Sequence, residues 1–173
     1  MKRPPIFAKT VKIISLILAI CHISPWDIRA NDDPTKLSRV EFAESFSADE
    51  QELLDLTNRV RAKHNLQPLK MNRDLTNVAR DQSADMARHH HLSHTVKGKH
   101  LEFRIRKSGY NYRTIGENVA RSKGTLSHII QMWMKSPGHR KNILNPQFKE
   151  VGFGITKAKN GDRYFTQVFG SQR

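Results

Sequence analysis

Val151-Gly152-Phe153-Gly154-Ile155-Thr156 is followed, past Asn160-Gly161, by Tyr164-Phe165-Thr166-Gln167-Val168-Phe169. In the first run large apolar residues alternate with glycine and threonine, the period of a strand with two unlike faces. Asn-Gly is the preferred pair of a type I′ hairpin turn, so the two runs are expected to return on each other as antiparallel strands. Upstream the period changes. Ser47-Ala48-Asp49-Glu50 has capping-box spacing, a hydroxyl for the orphan N–H groups and a carboxylate three residues on to reach back. Leu53, Leu56 and Val60 then recur at helical spacing, with Leu54 beside them. A turn through Asn65 and Pro68 leads to a second helix over about 74–90, with Leu75, Val78, Ala79 and Met86 as its buried stripe. A third, near 101–107, is stopped by Gly109 in the place of a C-terminal glycine cap. A fourth starts after Thr125, buries Leu126, Ile129, Ile130 and Trp133, and ends before Pro137. Between the third and fourth, residues 115–120 read as one more short strand. Helices followed by a small antiparallel sheet make an α+β fold.

The bulk numbers agree with one globular domain: 173 residues, 37% hydrophobic and 27% charged. The formal charge of +14 is large for this length and attracts anionic partners such as acidic lipid or envelope polymer. Part of it lies in a basic front, Lys2, Arg3, Lys9 and Lys12, before an apolar run over 13–23 broken only by Ser15 and His22. That run has the length of a signal h-region and is short for a bilayer span. Residues 1–30 are therefore expected to be a signal peptide ending near Ala30, with a retained anchor as the other reading. Residues 31–46 read as a polar linker, and 47–173 as the domain. The single cysteine, Cys21, lies in Leu18-Ala19-Ile20-Cys21. The stretch is similar to a lipid-attachment site, but Ile20 stands where a small residue is wanted, which favours a passive apolar cysteine. Removal of the signal leaves no cysteine, and hence no disulfide framework or thiol catalysis.

Several further segments fall in a recognisable order: Leu92-Ser93-His94-Thr95, Gly116-Glu117-Asn118-Val119-Ala120, Trp133-Met134-Lys135-Ser136-Pro137-Gly138-His139-Arg140, Asn142-Ile143-Leu144 and Glu150-Val151-Gly152-Phe153-Gly154. With the Tyr164–Phe169 run, they resemble the CAP superfamily of cysteine-rich secretory, antigen 5 and pathogenesis-related proteins, in its bacterial SCP-like extracellular branch. The resemblance covers about residues 48–170. It implies an α-β-α sandwich in which a three-stranded antiparallel sheet is flanked by helices. It also implies a central cavity lined by two histidines and two glutamates, which in some members holds a divalent metal. His94 and Glu117 match two of those positions. Ser136 and Tyr164 stand at the other two, and His139 of the Ser-Pro-Gly-His turn offers a replacement, with Tyr164 as a further cavity residue.

Read chemically, His94, Glu117 and His139 are the donors for a zinc-like ion with one open position, or equally a metal-free hydrogen-bonded network. A carboxylate in a short apolar strand needs a partner, and a histidine is the obvious one for Glu117. The run His89-His90-His91 is expected to be a solvated helix end, because neighbours on a helix point about 100° apart. Glu150 is expected to pair with Arg140. Arg104, Arg106, Lys107 and Arg113 around Tyr110 and Tyr112 form a basic, aromatic-interleaved patch. An exported protein meets anionic lipid or polysaccharide rather than nucleic acid, and no groove-reading motif is present. No Gly-x-Ser-x-Gly elbow and no His-Glu-x-x-His helix appears. The expectation is a secreted or periplasmic binding module for an ion, lipid or small molecule, docked to an anionic envelope component. The alternative is a metal-assisted hydrolase or protease using the same cavity.

Overall fold

A computed structural model describes residues 45–173. The expected signal peptide, Cys21 and nearly all of the expected linker lie outside the described residues. The order is α1 (Ala48–Lys63), β1 (Lys70–Met71), α2 (Arg73–His89), α3 (Leu101–Ser108), β2 (Tyr112–Ser122), α4 (Leu126–Lys135), α5 (Pro137–Ile143), β3 (Glu150–Lys157) and β4 (Arg163–Gln172). The capping box of α1 is complete: Ser47 Oγ accepts from the Glu50 amide at 3.2 Å, and the Glu50 carboxylate accepts from the Ser47 amide at 2.7 Å. Gly109 ends α3 with φ +82°, the left-handed cap that glycine adopts without a Cβ clash.

The sheet runs β1-β3-β4-β2, with β3–β4 and β4–β2 antiparallel. It therefore has a fourth strand beyond the expected three, the two-residue β1, which pairs parallel to β3. So short a segment has no period to read. The β2 strand spans eleven residues rather than the expected six, and β4, buried on both faces, is its partner along almost the whole length. The hairpin turn also differs. Gly161 has φ +84° while Asn160 does not have positive φ, so the turn is not type I′. The Gly161 amide donates to Ala158 O and the Ala158 amide to Asp162 O, a type I turn closed by a glycine bulge.

Two cores lie on opposite faces of the sheet. Leu53 of α1, Ile129, Ile130 and Trp133 of α4, and Ile143 of α5 pack on Val151, Phe153, Phe165 and Phe169. On the other face, Leu75, Val78 and Ala79 of α2 and Ile105 of α3 pack on Val168, and Met86 on Val119 and Tyr164. This is the expected α-β-α sandwich, with Trp133 and the three phenylalanines in the core. The alternate glycines of β3 have a definite task. A Cβ at Gly152 would overlap the backbone of Leu75 and Thr76, and one at Gly154 that of Ala79 and Arg80. Helix α2 thus lies directly on the strand and brings the loop after its C-terminus over β2.

Candidate functional site

Helix α2 ends at His89, and His90 caps it in the left-handed region with φ +51°. His90 and His94 therefore do not share a helix face, and His89, His90 and His91 are all exposed, as expected. Beyond the cap the chain runs back across β2. The Ser93 carbonyl accepts from Gln82 Nε2 at 2.6 Å, and Ser93 Oγ closes a local turn with Thr95. This places His94 against Glu117.

Glu117 sits on β2, opposite Val168 of β4, with its side chain 3% exposed. Its two oxygens have different partners. His94 Nδ1 donates to Oε1 at 2.9 Å, and Arg104 Nη1 lies 2.8 Å from Oε2. Arg104 comes from α3, is itself 7% exposed, and donates from Nη2 to the His94 carbonyl at 3.1 Å. The carboxylate is thus bracketed by two cationic groups, one of which also fixes the backbone of the other. An ionised carboxylate only accepts, so Nδ1 carries the hydrogen and Nε2 is left as the outer nitrogen of the ring. The His94 side chain is 57% exposed, so the ring faces solvent while the carboxylate behind it does not. Its hydrogen bond to Glu117 raises the His94 pKa above the ordinary value, against the opposing pull of burial and of the Arg104 charge.

His139 is held from the opposite side of β2. Helix α5 begins with Pro137 at its first turn, so His139 rides on a helix and not on the turn expected from Ser-Pro-Gly-His. Asn118, fully buried, donates to the His139 carbonyl at 3.2 Å and to Gln167 Oε1 at 3.0 Å. Asn142 donates to the Glu117 carbonyl at 3.1 Å and to Asn118 Oδ1 at 2.9 Å. These amides fasten α5 to the strand that carries Glu117. Burial, and then the positive charge of His94 nearby, push the His139 pKa below the ordinary histidine value. The two imidazoles are therefore driven in opposite directions, one on each side of β2.

Tyr164 is fully buried beside Met86, Val96 and Val119, and its hydroxyl has no hydrogen-bond partner. It pairs with Arg121, four residues along β2 from Glu117, and does not enter the contacts around that carboxylate. Among the described residues no three histidine, cysteine or carboxylate groups are gathered as a metal would need. Glu117 Oε1 is bonded to His94, and Oε2 faces the Arg104 guanidinium in an ion pair. The donors left to an ion are the two imidazoles, with Glu117 behind His94 as the carboxylate that fixes its tautomer.

Three other expectations move. Arg104 leaves the basic surface patch for the Glu117 pair. Tyr110 is buried and donates to Glu150 Oε2 at 2.6 Å, so the patch also loses an aromatic; burial and that bond raise the phenol pKa. Glu150 is further bonded to Asn72 and Gln172, which, with Tyr110, stand where Arg140 was expected. Arg104 was detectable in the sequence: with Leu101, Ile105 and Ser108 it falls on the i, i+3, i+4, i+7 face of α3.

The family model for CAP, the cysteine-rich secretory protein family, matches residues 54–169. The chain belongs to the CAP family. The Bacillus subtilis (strain 168) protein YkwD is 39% identical over 115 residues, covering 66% of this chain and 45% of its own length. An extracellular protein containing a SCP domain from Bacillus anthracis superposes with a TM-score of 0.66 at 31% identity, over 80% of this chain and 44% of that one. An outer surface protein from Borrelia burgdorferi shares the fold, with a TM-score of 0.69 at 22% identity over 75% and 96% of the two chains. NaASP2, whose structure was determined with Zn2+, also shares the CAP fold, with a TM-score of 0.53 at 11% identity over 74% of this chain and 82% of its own. This chain spans less than half the length of YkwD and of the Bacillus anthracis protein. Among the described residues no helix is long and apolar enough to cross a membrane.

Proposed function

We propose that this CAP domain is a binding module that works outside the cytoplasm, as a secreted or periplasmic protein exported by its N-terminal segment. Its ligand seats between His94 and His139, and the basic surface holds the domain to an anionic envelope component or lipid. The observation that carries this reading is the double engagement of Glu117. A hydrolase that used Glu117 as its base would need that carboxylate free to take a proton from water. Here the carboxylate faces Arg104 on one oxygen and His94 on the other, so it orients and charges a histidine instead. An exposed imidazole whose protonated form is favoured by a buried anion is a directed hydrogen-bond donor for an acceptor group on a small ligand. At higher pH the same ring offers Nε2 to a divalent ion such as zinc, with His139 as the second donor. A bound zinc would supply charge to fix and polarise an oxygen of the ligand.

The test is the melting temperature of the wild type and two double variants with and without zinc. A native state that alone binds zinc gains about 2.7 kcal/mol at roughly 100 times the dissociation constant. H94A/H139A is expected to erase that gain, and H89A/H91A to keep it. Zinc-dependent turnover of ester or peptide substrates that is lost in E117Q would overturn the binding reading in favour of the hydrolase.

A further inference from the structure

On the other face of β2 from Glu117 lies a cavity of about 540 Å3 lined by Arg113, Thr114, Pro146, Gln147, Lys149, Ser171 and Gln172. We propose that this cavity is a phosphate-binding subsite, independent of the His94 pocket.

The local register builds it. Tyr112 pairs with Gln172 and Thr114 with Ser171, so Arg113 is the extra residue of a β-bulge. A bulge breaks the alternation and re-aims a side chain. Here Tyr112 packs with Ile115 against the α2–α3 core, while both Arg113 and Thr114 line the cavity. Thr114 and Ser171 stand directly opposite one another across the two strands and present two hydroxyls at the floor. Gln147 adds an amide.

The far wall is rigid. Arg61, 1% exposed, donates to the carbonyls of Ile143 at 2.7 Å and Asn145 at 3.0 Å, and reaches that of Phe148 at 3.5 Å. The segment carrying Pro146, Gln147 and Lys149 is therefore clamped from beneath before any ligand arrives, which lowers the ordering cost of binding.

The charge has one sign. No carboxylate lines the cavity. Glu150, next to Lys149 in sequence, is held by Tyr110 and Asn72 and accepts at 3.3 Å from Gln172, which lines the cavity. Lys149 Nζ makes one exposed bond to the Pro146 carbonyl at 3.2 Å, which leaves two of its three hydrogens. The Arg113 guanidinium is exposed and carries five donors. A guanidinium fork, an ammonium and two hydroxyls match the several acceptor oxygens of a phosphate. The groove between α2 and α3 is different: Asp74, Asp81 and Asp85 line it together with Lys99 and Lys107, so it presents both signs.

Phosphate reaches an exported protein as a soluble phosphodiester or phosphomonoester, or as a lipid headgroup. The test titrates the full chain with inorganic phosphate and glycerol phosphate by calorimetry. It then sediments the protein with phosphatidylglycerol vesicles and with phosphatidylcholine vesicles. Saturable binding that weakens at least tenfold in R113Q/K149Q, and less than twofold in R106Q/K107Q, is the expected result. T114V, which keeps every charge, should weaken binding several-fold. Loss confined to the soluble phosphates assigns a soluble ester; parallel loss on phosphatidylglycerol vesicles assigns a headgroup. No saturable phosphate binding, or equal weakening in the two double variants, overturns the proposal. The zinc response of H94A/H139A is read separately and does not bear on it.

Discussion

Removing the guanidinium of Arg104 by R104M tests the arrangement around Glu117 energetically. Glu117 and Arg104 are almost wholly buried, with side chains 3% and 7% exposed and 2.8 Å between charged atoms. Removing one partner of such a pair strands the other, at about 3–5 kcal/mol. His94 remains as a second partner for the carboxylate, so the low end of about 3 kcal/mol is expected for R104M. E117Q strands Arg104 instead and also costs about 3 kcal/mol, because the neutral amide no longer offsets the buried guanidinium. The double variant leaves neither charge behind. It is therefore expected near 4 kcal/mol rather than 6, a coupling of about 2 kcal/mol for groups in contact. Urea denaturation at pH 7, followed by circular dichroism, measures all four proteins. Single variants costing under 1 kcal/mol, or a double variant additive to within 0.5 kcal/mol, would refute the claim of a buried shared carboxylate.

Gly154→Ala is expected to cost at least 3 kcal/mol by denaturation, because the new methyl meets the backbone of Ala79 and Arg80 and neither can rotate away. Ser47→Ala removes the hydroxyl half of the α1 capping box and should cost about 1 kcal/mol. Tyr164→Phe deletes a buried hydroxyl that has no partner, so stability should be unchanged or raised, and a loss above 1 kcal/mol would reveal a bond to that oxygen. The stability that His94 and His139 contribute together should be greatest near the ordinary histidine pKa of 6.5. The raised pKa of His94 makes its contribution complete below that value and lost as pH rises through its midpoint, while the lowered pKa of His139 makes its contribution complete above it and lost as pH falls. H94A should flatten the alkaline limb and H139A the acid limb of the denaturation midpoint measured from pH 5 to 8.5.

Much of the fold is legible because its signals are local. The Ser47 box, the Leu75–Met86 stripe, the Gly109 cap and the alternation in β3 each depend on neighbours within one or two turns. The two-residue β1 exists only through its pairing with β3, and the outer half of β2 only through β4, so neither leaves a period in the sequence. The turn at Gly161 shows how a dipeptide preference yields to the register of the strands it joins. In the site, the demand of a buried carboxylate for a histidine partner led from Glu117 to His94, and the family likeness selected the same pair. The second partner was hidden by composition. Among so many exposed cations Arg104 looks like one more, and only its place beside Ile105 on the inner face of α3 separates it. Its presence turns a candidate metal ligand into an orienting carboxylate, a change that no spacing of histidines and glutamates can reveal.

The central claim is that Glu117 raises the pKa of His94 while burial and the nearby His94 lower that of His139. NMR titration of the histidine ring protons tests it most directly. The wild type should give a His94 midpoint above about 6.5 and a His139 midpoint below it. E117Q should lower the His94 midpoint and R104M should raise it further, since one removes the anion and the other a competing cation. A His94 midpoint at or below that of His139, unmoved by either substitution, would contradict the account.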